Sequence, residues 1–185
     1  MQIGPETCNL EGQPGKVIAM SMEIIIMSDR QVNSIAEWQA AIDREGYPLH
    51  LAPDMQFEYL SGFLPSHLRG ELTGFECFHE NAANIIRDNP DIKFGHEWKY
   101  CLAFVWLGSK WAELLAAWMA GTAYVHATDG IIFDGEQEKF VTPDEARQIV
   151  HELEHPTTAQ KAAMDRVRRE FGFDPWPEVG SENSK

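Results

Sequence analysis

"MEIIIMSDRQVNSIAEWQAAIDREGYPLHLA", residues 22–52, spells a strand, a helix and a second strand. Residues 22–28 are a short, β-branched apolar run, the content of a buried strand. Ile35, Trp38 and Ile42 recur at helical spacing and share one face. Ser34 and Glu37 form an S-x-x-E capping box at the start of that helix, and Gly46 stands where a helix-ending glycine belongs. "YPLHLA" (47–52) supplies the second strand. The chain therefore opens with a β-α-β unit, and the rest of the fold is read outward from it.

Downstream, "FEYLSGFLP" (57–65) has strand composition but predicts a break at Gly62 and Pro65. "GFECFHE" (74–80) alternates Phe75, Cys77 and His79 against Glu76 and Phe78, the period of a strand. A short helix in 79–90 ends at Asn89-Pro90. "WKYCLAFVWLG" (98–108) is aromatic and apolar, as in a central strand covered on both faces. Residues 109–129 spell the most apolar helix, capped by Ser109 and ended at Asp129-Gly130, with Gly121 lowering its expected regularity. A hairpin follows over 131–141. Thr142, Pro143, Asp144 and Glu145 then start a helix with a capping box, a first-turn proline and two acids. A last helix begins at Thr157 or Thr158 and closes at Gly172. The expected architecture is an α+β domain over 22–172. It has a mostly antiparallel sheet with helices packed on one face, ferredoxin-like with extra elements. Residues 1–21 read as a loose arm, with Met20, Met22 and Met27 as later candidate starts, and 173–185 as a polar tail.

The chain has 185 residues, is 44% apolar and carries a formal charge of −14. That supports one domain with a core and argues against nucleic acid as a ligand, because like charges repel. No apolar run reaches the length of a membrane span, and no secretory signal opens the chain. Cys8, Cys77 and Cys101 are sparse and odd in number, which points to reduced thiols in the cytoplasm.

"HELEH" (151–155) matches H-E-x-x-H, in which two histidines one helical turn apart hold zinc and the glutamate acts as general base. His151, His155 and Glu152 would fill those roles in a zinc-dependent hydrolase, the alternative reading of this chain. Against it, Glu154 places a charge inside the motif, Pro156 ends the helix beside the second histidine, and no third ligand follows at the usual spacing. Ala146, Ile149, Val150 and Leu153 already supply the apolar face. The leading expectation is a solvated helix end, with no metal, cofactor or catalytic residue.

Cys77 and His79 share a strand face, but residues two apart are too distant for a nucleophile pair, and Cys77 is expected to pack. His96 and His126 are expected to be satisfied buried histidines. The aromatic residues of 98–118 predict a core, with Trp106 or Trp111 as the exception that would line a surface. Residues 61–76 read as a long irregular loop, the expected contact segment, with Phe63, Leu64, Leu68 and Arg69. Asp134, Glu136 and Glu138, together with Asp129, Asp144 and Glu145, would steer a basic partner.

"GFLPSHLRGELTGFECFHE", "FGHEWKYCLAFVWLG" and "AAWMAGTAYVHATDGIIFD" together resemble a group of small, acidic, cytosolic bacterial proteins. The last segment also resembles the "A-x-A-x-T-G-G-x-x-[FY]-D" end of immunity-type proteins of bacterial toxin systems, with Asp129 in place of the first glycine. The resemblance implies a non-catalytic inhibitor that binds a cognate basic toxin protein.

Overall fold

The computed structural model describes residues 21–108 and 110–171. The expected arm (except Ser21), the expected tail and Ser109 lie outside them. Seven antiparallel strands form one sheet: β1 (Ser21–Ser28), β2 (Leu49–Leu51), β3 (Ser61–Leu68), β4 (Glu71–Glu80), β5 (Tyr100–Leu107), β6 (Ile131–Asp134) and β7 (Lys139–Val141), in the order β2-β3-β4-β5-β1-β6-β7. The helices are α1 (Ile35–Glu45), α2 (Ala82–Asp88), α3 (Trp111–Thr128), α4 (Pro143–Glu154) and α5 (Thr158–Phe171). The fold is α+β. Its centre, β4-β5-β1-β6, has the strand order of a ferredoxin-like core; α3 crosses from β5 to β6, and α1 crosses from β1 to the added strand β2. β2 and β3 extend that core on one side and β7 on the other.

The helices form where the sequence supplies caps. Ser34 Oγ accepts the Glu37 N–H at 3.1 Å, and Gly46 ends α1 with φ +75°. The returning arm of the expected box differs: the Glu37 carboxylate accepts from Asn33 N and Nδ2, both at 2.7 Å, rather than from Ser34. Thr142 and Glu145 cap α4 reciprocally, and Thr157 and Gln160 do the same for α5.

Helix α3 is apolar all round because it is enclosed all round, by the sheet below and by α1 and α4 at its sides. Gly121 does not disturb it. A Cβ there would meet Ile26 Cδ1 at 3.1 Å, so the glycine lets α3 approach β1 closely. Trp38 of α1 is fully buried, stacks on Phe104 of β5 (5.6 Å, 28°) and donates Nε1–H to Ala120 O of α3 at 2.9 Å. One side chain thus joins both crossovers to the sheet.

The main core lies between the sheet and α1, α3 and α4, with Ile24, Ile26, Leu64, Phe75, Leu102 and Phe104 facing it. A smaller cluster on the opposite face joins Ile25, Met27, Cys101 and Phe133 to α2 and the 89–99 segment through Ile85, Ile92, Phe94 and Trp98. That segment is tied down by His96, which is exposed rather than buried as expected, with Nε2 2.7 Å from Asp29 Oδ2.

Residues 61–76 are not a loop. β3 runs unbroken through Gly62 (φ +124°) and Pro65, and it pairs with β4 from Ser61↔Phe78 to Leu68↔Glu71. Proline is tolerated there because β2 begins to pair only beside it, and Pro65 O accepts Ala52 N–H at 2.9 Å. Arg69 (φ 54°) and Gly70 (φ 85°) make a two-residue turn with both φ positive, the type I′ hairpin geometry.

Candidate functional site

The correction at 61–76 redistributes the expected contact residues. Strand period two sends Leu64 (0% exposed) and Leu68 into the helix-side core, so neither presents a contact surface. Phe63 points the other way and is 52% exposed. Arg69 sits in the turn, where its N–H donates to Pro48 O at 2.8 Å and Nη2 lies 2.9 Å from Glu154 Oε1.

The acidic half is also divided. Asp134 is buried, and its Oδ1 accepts the Glu136 and Gln137 N–H groups at 3.0 and 3.1 Å, closing the β6–β7 turn. Steering is not its role. Asp129 is the left-handed cap of α3, Glu145 caps α4, and Asp144 pairs with Arg147. Glu136 and Glu138 are exposed. The β6–β7 turn and the β3–β4 turn lie at the same end of the sheet, but β5 and β1 separate β4 from β6. The two expected halves therefore do not form one patch.

The motif residues have separate tasks. His151 and His155 are both exposed, with ring centroids 4.5 Å apart. His155 Nδ1 donates to His151 O at 2.9 Å. Glu152 accepts from Gln148 Nε2, and Glu154 is drawn to Arg69. Ala146 and Val150 are buried, with Ile149 and Leu153 packed beside the core. Among the described residues, no group of three His, Cys, Asp or Glu side chains is placed to hold a metal ion.

The other reactive groups are equally occupied. Cys77 is fully buried, and burial pushes its thiol well above the usual range. Burial, then Glu80 and Glu23, raise Cys101 to about 12. His79 turns to Phe57 O, 2.7 Å away, rather than to Cys77. His126 Nε2 lies 3.1 Å from Pro143 O, where it joins the end of α3 to the start of α4. Trp106 is buried, and Trp111 is partly buried against the same core.

One surface was missed in the sequence. On the sheet face away from α1, α3 and α4, none of the described residues covers the part beyond the 89–99 segment. It carries Phe63, Leu72 (74% exposed) and the half-exposed Pro65, Val105 and Leu107, with Glu23 and Glu76 among them. The sequence signal for it is the outward half of the alternation in 61–76, which Gly62 and Pro65 obscure. Among the described residues, no helix is long and apolar enough to cross a membrane. The chain matches no protein-family model, no curated protein and no solved structure.

Proposed function

We propose that the protein is a non-catalytic cytoplasmic binding protein, an immunity-type inhibitor that neutralises a basic bacterial toxin by direct contact. The observation that carries this reading is the open sheet face, where exposed apolar side chains stand among carboxylates that have no cationic partner among the described residues. Such a face is costly in water and is satisfied by a surface offering both apolar area and positive charge. The net charge of −14 supports the same polarity and disfavours a phosphate backbone as ligand. The buried Cys77 thiol and the bonded imidazoles of His79 and His126 favour binding over catalysis.

The test is co-expression with the product of the neighbouring gene. The expected result is a stoichiometric complex and relief of that product's toxicity. A chromosomal setting with no toxin, together with metal-dependent hydrolytic activity that is lost in His151→Ala, overturns the reading.

A further inference from the structure

The register aligns Phe63 of β3 with Glu76 of β4, Glu76 with Val105 of β5, and Val105 with Glu23 of β1. Each is the outward-facing neighbour of a core residue: Leu64, Phe75, Phe104 and Ile24 face the helices. One row across four strands therefore alternates apolar, acid, apolar, acid. The Phe63 ring leans over Gly74, where its Cζ would lie 2.5 Å from an added Cβ. Leu72 flanks the row.

These acids differ from four others on the helices and at their ends. Glu37, Glu45, Glu113 and Glu154 are each paired with an arginine or lysine. Glu23, Glu76 and Glu80 are exposed, and none forms an ion pair among the described residues. The carboxylates are thus left uncompensated beside exposed apolar groups, in a repeating pattern.

The repeat has a length. Like residues in the row are two strands apart, about 9.6 Å at ~4.8 Å per strand. A helix places residues i and i+7 on one face about 10.5 Å apart. An extended strand offers ~6.7 Å or ~13 Å for same-face residues, and neither matches.

We infer that the open half of the sheet's outer face is a docking surface for a helix of the partner protein laid across the strands. Its Lys or Arg residues, one heptad apart, meet Glu76 and Glu23, an apolar residue between them meets Val105, and apolar residues beyond the Glu76 end meet Phe63 and Leu72. This rests on the binding-protein reading above and names the surface and the partner element.

The probes are two synthetic peptides of the same Lys and Leu content. One is helical, with lysines at i and i+7 and leucines between them; the other alternates the two residues. Each is titrated into the full ¹⁵N-labelled chain. The helical peptide is expected to shift amides in 21–23, 61–65, 72–78 and 103–107 and to bind about tenfold tighter than the alternating one. Glu23→Gln/Glu76→Gln is expected to weaken it at least about tenfold. Tighter binding of the alternating peptide overturns the inference. Unchanged affinity of the double variant does so too, as do shifts centred on the β6–β7 turn that are lost in Glu136→Gln/Glu138→Gln. It is also overturned if the free chain self-associates through this face, or if Phe63 and Leu72 are shielded from hydroxyl-radical labelling before any peptide is added. A toxin neutralised equally by wild type and Glu23→Gln/Glu76→Gln sinks this surface and leaves the function standing. Peptide binding here without any toxin neutralised does the reverse.

Discussion

Arg69 Nη2 lies 2.9 Å from Glu154 Oε1, and the contact fastens the β3–β4 turn to the last turn of α4. Both residues carry functional promise in the sequence, one in an expected binding loop and one inside an H-E-x-x-H pattern. The fold uses each to hold the other. The pairing also accounts for the charge inside the motif: the Glu154 carboxylate is held by Arg69 of the β3–β4 turn.

Because Arg69 is half-exposed, the pair is worth about 0.2–1 kcal/mol, measurable as the coupling in an Arg69→Ala/Glu154→Ala cycle by urea unfolding. The turn adds a second effect, since Arg69 holds φ 54° without being glycine. Asparagine tolerates that region better than alanine, so Arg69→Asn is expected to be more stable than Arg69→Ala by about 1 kcal/mol. Equal stabilities would show that the turn does not impose its backbone on this position.

Trp38 is the largest fully buried side chain and touches four residues: Phe104 by stacking, Tyr124 and Phe57 edge-on, and Ala120 O by its N–H. Trp38→Ala is expected to cost about 3–5 kcal/mol, enough to unfold a marginal domain. Trp38→Phe keeps most of the apolar area and loses the hydrogen bond, so about 1–3 kcal/mol is expected from the same denaturation curves. A Trp38→Phe loss as large as that of alanine would mean that the indole N–H, rather than packing, dominates this site.

What the sequence discloses depends on how local the signal is. The starts of α1 and α4 are legible because Ser34, Thr142, Glu145 and Pro143 act within one helical turn. The tight β3–β4 turn is illegible because Arg69-Gly70 lacks the usual Asn or Asp, and because Gly62 and Pro65 punctuate a strand that the β4 ladder holds together regardless. Tertiary pairing overrides local punctuation there. The error then spreads to the site. Once β3 is a strand, Leu64 and Leu68 must face opposite to Phe63, and a contact patch drawn from all three cannot exist. Asp134 is misread for a related reason: an acid in a turn sequence looks solvated until its carboxylate is seen closing that turn.

Cys77 and Cys101 should be chemically silent in the folded chain, because their thiols stay protonated at neutral and mildly alkaline pH. Iodoacetamide labelling followed by peptide-resolved mass spectrometry is expected to show both reacting at least about a hundredfold more slowly in the native protein than in urea. Rapid native labelling of Cys77 would require an opening beside Phe104 that its burial does not provide.

Glu23 sets the last prediction, because its carboxyl is raised above the ordinary 4.5 by desolvation and then by Glu80. A raised acid holds its proton more tightly when folded, so ionisation at neutral pH costs stability, and that cost fades as pH falls from the raised value to 4.5. Glu37 and Glu145 run the opposite way. Hydrogen bonds from Asn33 and Thr142 lower them, so their contribution is present above 4.5 and is lost below it. Glu23→Gln should therefore be more stable than wild type at neutral pH, and the difference should vanish once both states are protonated. Urea midpoints measured from neutral pH down to acid check this. A variant that is less stable at neutral pH, or a gap that persists in acid, would contradict it. If the gain appears together with weaker peptide binding, the chain keeps at Glu23 a carboxylate that its own fold disfavours, as expected where a charge is held for a partner rather than for stability.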